Sequence, residues 1–157
     1  MASRSTAMAM VGAAAVFAST LSVVALQELP EGTGRDVTQR LCSVECHGLE
    51  KVVVEHKSKS QWIDSLDQMK TEGAKGTEEE FKIMARYLTM HFGVPVKINK
   101  ATARQIDDVL ILDAGLADAI VKYRDANGPF ADLAALLKVP GLDAKMLEEQ
   151  KGNILFQ

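Results

Sequence analysis

Two thiols, Cys42 and Cys46, are followed at once by the imidazole of His47. Paired cysteines with an adjoining histidine carry the chemistry of covalent haem attachment, each sulfur adding to a vinyl group while the histidine takes the iron. The spacing is C-x-x-x-C-H, one residue longer than the usual C-x-x-C-H. On a helix, offsets of three and four lie on the same face, so both thioethers remain geometrically accessible. The expectation is one covalent haem c, with Cys42 and Cys46 as attachment points and His47 as the proximal iron ligand. Two rival readings of the cysteines stay open: a redox dithiol, although C-x-x-C is the usual form, and a local disulfide within one helical turn, which is strained.

An iron held by His47 takes a second ligand from the methionines or the remaining histidines. Met69 is the first choice. It stands seven residues after Trp62, on the same helical face, ahead of a loop containing Gly73. Met84, Met90, His56, His91 and an open site are the alternatives. His56 lies among charged residues and reads as a solvated loop position. His91 falls in the last turn of a helix, where a cation complements the negative end. The bland account of any single methionine is flexible core filler.

Such haem attachment takes place outside the cytoplasm, where thiols would otherwise oxidise, and the chain opens with Arg4 followed by an uncharged apolar run from Ser5 to Gln27. Residues 1–26 read as an export signal, with small residues at Val23-Val24-Ala25 for cleavage, or else as an N-terminal anchor. Everything beyond is expected outside the cytoplasm, periplasmic or otherwise extracytoplasmic. Without the leader, 17 basic residues face 21 acidic ones. That balance gives no general attraction to phosphate backbones or anionic lipid. No phosphate-cradling Gly-rich loop, G-x-S-x-G elbow or H-E-x-x-H helix is present, and no enzyme activity is expected.

Two domains position these groups. Residues 28–93 read as three short helices. Val37, Leu41 and Val44 form an apolar stripe running into the cysteines. Ser58 with Gln61 and Thr77 with Glu80 are capping boxes, the first opening a helix with Trp62, Ile63, Leu66 and Met69 on one side. The second opens a helix that buries Phe81, Met84, Ala85 and Leu88, and its run Glu78-Glu79-Glu80 reads as first-turn charge favouring the helix dipole. So small a core calls for a staple, and a buried porphyrin would supply one.

The stretches LPEGTGRDVTQRLCSVECHGLEKV, QWIDSLDQMKTEGA and EEEFKIMARYLTMHFG resemble the small c-type cytochrome modules of exported bacterial proteins, including those attached to quinohaemoprotein dehydrogenases. The resemblance implies a class I-like three-helix fold, electron transfer with redox partner proteins, and Met69 as distal ligand through the W-x6-M pattern.

Residues 97–157 have a different texture, with four short helices in two hairpins. Ile106, Val109 and Leu110 face one way on the first helix. Leu116, Ala119, Ile120 and Tyr123 do so on the second, and Asn127-Gly128-Pro129 halts it. INKATARQID, AIVKYRDANGPF and LLKVPGLDAKMLEE resemble the tandem helix-hairpin-helix module of exported competence-type DNA receptors and of an extrinsic photosystem II protein. In DNA-binding members each hairpin tip reads G-h-G, with h apolar, so that backbone N–H groups reach a phosphate. Here Ile111-Leu112-Asp113 replaces the first tip, and Asp143 replaces the second glycine of the other. With 8 basic and 9 acidic residues in this half, a docking role toward a redox partner or membrane-associated assembly is expected ahead of DNA. Arg104, Lys122, Arg124 and Lys145 are the cations available for clustering.

The sequence thus predicts an all-α, two-domain electron carrier: a three-helix cytochrome c-like domain, then a four-helix tandem hairpin domain. The alternatives are an extracytoplasmic DNA-binding protein and a haem-free assembly subunit.

Overall fold

The computed structural model describes residues 29–43 and 48–157, so the leader and the segment holding Cys46 and His47 lie outside the described residues. The first unit contains α1 (Arg35–Ser43), α2 (Glu50–Val54), α3 (Lys59–Thr71) and α4 (Glu78–His91). Both capping boxes form: the Ser58 and Thr77 side chains accept the N–H of Gln61 and Glu80, whose side chains accept the cap N–H in return. Gly73, at φ +104°, ends α3 in the left-handed region. The core gathers Leu29, Cys42, Trp62, Leu66, Phe81, Met84 and Leu88. α2 is an addition to the three helices expected. Ile63, expected on the buried side of α3, is instead 43% exposed.

The second unit has its own core of Ile98, Ile106, Leu110, Ile120, Leu136 and Leu147. It comprises α5 (Ala103–Asp107), α6 (Leu116–Asn127), α7 (Leu133–Leu136) and α8 (Ala144–Glu149), the four helices expected. The all-α expectation needs one correction, because β1 (Val96–Lys97) and β2 (Ile154–Leu155) pair in parallel, Val96 opposite Ile154. This pairing ties the entry of the unit to its exit. Each run is two residues, too short to carry a strand pattern of its own. Among the described residues no helix is long and apolar enough to cross a membrane.

Within the first unit Lys57 bridges to Gly93. Hydrogen bonds join the two units. Asn153, buried, donates from Nδ2 to the carbonyls of Thr89 and Met90 at 3.2 and 3.0 Å. At the start of α3 Asp108 acts as a second cap, accepting the N–H of Ser60 at 2.9 Å and its hydroxyl at 3.0 Å, while Lys59 N–H donates to the Asp108 carbonyl at 2.7 Å. Burial raises the Asp108 pKa, but the hydrogen bonds from Ser60 and Ser58 and the Lys59 charge outweigh it and hold the carboxyl below its ordinary value. A depressed carboxyl contributes stability that is present above its unfolded pKa, about 4, and is lost as pH falls through the folded value. Asp108→Ala should therefore lower stability at neutral pH by about 1 kcal/mol, the scale of a lost cap, and flatten the acid limb of the stability profile. Urea melts across about pH 2.5–7 check both; an unchanged acid limb contradicts this role.

Candidate functional site

Two places could do chemistry or recognition. The first is a cavity of about 340 Å³ in the first unit, lined by Cys42, Val52, Trp62, Leu66, Met69 and Leu88, with Glu55, Lys57 and Gln68 at its polar rim. Its size falls within the range of small-molecule sites, about 300–1,000 Å³. α1 delivers Cys42. α3 delivers Trp62, Leu66 and Met69 from one face, and the turn after it is closed by Ala74 N–H donating to the Met69 carbonyl at 2.9 Å. The Trp62 indole donates to the Phe92 carbonyl at 3.1 Å, and the Lys57 ammonium sits 5.0 Å from the centre of its ring. Cys42 and Met69, two of the four positions assigned from sequence, thus face one space. Cys46 and His47 lie outside the described residues.

The other ligand candidates are engaged elsewhere. Met84 is fully buried, its sulfur 3.9 Å from that of Cys42, and it packs as core. His56 is exposed, as its charged neighbours implied. His91 stands in the last turn of α4, as expected; burial pushes its pKa down, a pull that Glu149 only partly offsets, and its ring packs 4.6 Å from that of Tyr87. Among the described residues no group of three His, Cys, Asp or Glu side chains could hold a metal ion. Cys42 and Met69 put two sulfur atoms on the lining of this cavity, which is mixed in character: Glu55, Lys57, Ser65, Gln68 and Glu72 stand beside Val52, Trp62, Leu66 and Leu88. Burial also pushes the Cys42 thiol up to about 11. At pH 8 about a thousandth of it is thiolate, so haem-free folded protein should leave Cys42 unalkylated by iodoacetamide while urea-unfolded protein is labelled. Peptide mapping reads this out, and rapid labelling of Cys42 in the folded state contradicts the burial.

The second place is the pair of hairpin tips. In the second hairpin Gly141, at φ +90°, turns the chain and Asp143 begins α8, its carboxylate accepting the Met146 N–H at 2.7 Å. The carboxylate occupies the helix end that a phosphate would otherwise seek. The first tip is locked from behind. Gln150, 1% exposed, accepts the Ile111 N–H at 2.9 Å and donates to the Ile111 carbonyl at 3.0 Å. What the first hairpin leaves open is the start of α6, where Gly115, at φ +83°, supplies no side-chain cap and no atom lies within 4 Å of where its Cβ would be. Asp118 lies in that first turn. Of the four cations noted in sequence, Arg124 is spent internally, donating to the Ile98 and Ala101 carbonyls at 3.0 and 2.9 Å. Sequence reasoning missed Gln150, for which a lone glutamine near the terminus gives no signal.

Residues 91–155 match the helix-hairpin-helix motif family. Over 62 residues the chain is 34% identical to ComE operon protein 1 of Bacillus subtilis, a match covering 40% of this chain and 30% of that protein. It is 39% identical over 62 residues to an uncharacterized protein of Haemophilus influenzae, covering 39% of this chain and 55% of the relative. An uncharacterized protein of Neisseria meningitidis serogroup A is 42% identical over 59 residues, 38% of this chain and 8% of that protein. The matched region thus spans about half or less of each of these relatives. No solved structure matches. The second unit is a helix-hairpin-helix domain; the resemblance of the first unit to c-type cytochromes finds no counterpart in these matches.

Proposed function

We propose that this chain is an extracytoplasmic helix-hairpin-helix protein that holds DNA by its sugar-phosphate backbone. The observation that carries the reading is the tandem-hairpin domain itself, matched over residues 91–155, with the similarity to ComE operon protein 1 within it. Such hairpins offer backbone N–H groups at helix starts to phosphate oxygens. In this chain the grip is weak, because Asp143 fills one helix start and Gln150 takes the Ile111 N–H. The uncapped start of α6 is the remaining donor site. Binding of this kind is independent of sequence and falls steeply with salt. The test is fluorescence anisotropy of a labelled duplex titrated with the full chain at about 20 mM salt. A partner protein docking on the same tips would leave the duplex unbound, which would contradict the reading. No bond-making step is proposed.

A second reading concerns the first unit and is favoured by the shared cavity of Cys42 and Met69. Cys42 and Cys46 would tether one haem c, and His47 and Met69 would hold its iron. When bound, that group supplies one-electron transfer to redox partner proteins. Trp62, Leu66 and Leu88 would exclude water from it. An absorption spectrum of protein matured in a host with haem c machinery decides: a reduced α-band that survives acid-acetone extraction supports the reading, and its absence, with the apoprotein mass, removes it.

A further inference from the structure

The residues that stand at the first hairpin tip, Ile111 and Leu112, do more than close a phosphate site. They form one wall of a groove of about 480 Å³ between the two units, whose floor is Ile63, Leu66, Phe81 and Ala85. Ile63 is one of two large apolar side chains exposed among the described residues, and this groove is where it stands. The charges around the groove are unevenly placed. At one end Lys70 is shared by Asp67 at 2.9 Å and Glu78 at 3.2 Å, which leaves that end acidic. Along α4, Lys82 and Arg86 stand one turn apart. Lys82 reaches Glu79 only at 3.7 Å, with both side chains 74% exposed. Arg86 makes no ion pair among the described residues, its guanidinium resting 3.8 Å from the Met146 sulfur.

From this polarity we infer that the groove binds a small amphiphilic monoanion, an unbranched apolar tail lying over Ile63, Phe81 and Leu112 with its carboxylate at Arg86 and Lys82. The tail removes the exposed apolar surface of Ile63 from water. The head is drawn to an unneutralised guanidinium, which holds a carboxylate by two parallel hydrogen bonds, and is repelled from the Asp67–Glu78 end. The inference is independent of the DNA reading and of haem, since it uses neither the hairpin N–H groups nor the cysteine cavity.

The test uses the full chain with decanoate, and decan-1-ol as the neutral analogue. Isothermal titration gives the affinity, and ¹⁵N NMR gives the location. Saturable decanoate binding is expected, with amide shifts centred on Ile63, Ala85 and Leu112. Arg86→Gln, at an exposed position, should weaken decanoate about tenfold and decan-1-ol scarcely at all, the loss expected of one charge-assisted contact. Leu112→Asp should weaken both. Absence of saturable binding, shifts centred on the Cys42 cavity, or equal decanoate affinity in wild type and Arg86→Gln would each overturn the inference.

Discussion

Replacing Gln150 with leucine should destabilise the protein by about 3 kcal/mol. The Gln150 amide satisfies both the N–H and the carbonyl of Ile111, at 2.9 and 3.0 Å, in a region where Gln150 and Ile111 are each buried. Leucine fills the space and can make neither bond. Two backbone groups are then left without partners, each costing about 1–3 kcal/mol, and the leucine's own burial recovers part of the sum. The loss should concentrate in the second unit, because Gln150 joins its last turn to the first hairpin tip. Urea unfolding followed by far-UV circular dichroism measures the change in midpoint, and hydrogen exchange at the Ile111 amide locates it. A leucine variant within about 0.5 kcal/mol of wild type would show that the amide bridge contributes nothing.

The second large effect is a gain. Asp143→Gly should tighten duplex DNA binding about tenfold and steepen the salt dependence by about one further phosphate, a slope change near 0.9. The aspartate carboxylate now satisfies the Met146 N–H at 2.7 Å, so a phosphate at this helix start meets both an occupied donor and a repelling charge. Glycine removes both obstacles and restores the second glycine of the G-h-G tip. At an N-cap, exchange of aspartate for glycine costs only a few tenths of a kcal/mol, so the variant should fold. Asp143→Asn separates the two obstacles, since it removes the charge and keeps a capping oxygen; it should recover only part of the gain. Equal affinities for wild type and Asp143→Gly would mean that this hairpin does not face DNA.

The local features of the fold were legible in the sequence and the long-range ones were not. Ser58 with Gln61 and Thr77 with Glu80 announce their helices because a capping box is written within four residues, and both form as read. The four helices of the second unit follow from apolar spacing and from Asn127-Gly128-Pro129 in the same way. The parallel pairing of Val96 with Ile154 was not legible, because its partners lie 58 residues apart and neither run has a pattern to show. The same holds for Asp108 at the start of α3 and for Gln150 behind Ile111, where a polar residue takes its role from a neighbour brought there by folding. Ile63 shows the opposite failure: helical periodicity placed it with Trp62 and Leu66, but the second unit covers only part of that face and leaves a groove. For the candidate sites, residue identity gave the missing glycines at both tips, and Cys42 and Met69, named from sequence as haem-binding residues, line one cavity. It gave no hint that the first tip is locked by hydrogen bonds, or that His91 is held toward its neutral form by burial.

The most direct test of the account is the salt dependence of duplex DNA binding by the unmodified chain, measured by anisotropy from about 20 to 200 mM salt. With one hairpin start open and the other filled, log affinity should fall linearly against log salt with a slope near about −0.9. An absence of binding at the lowest salt, or an affinity that salt leaves unchanged, would contradict a phosphate-holding role for the hairpin domain.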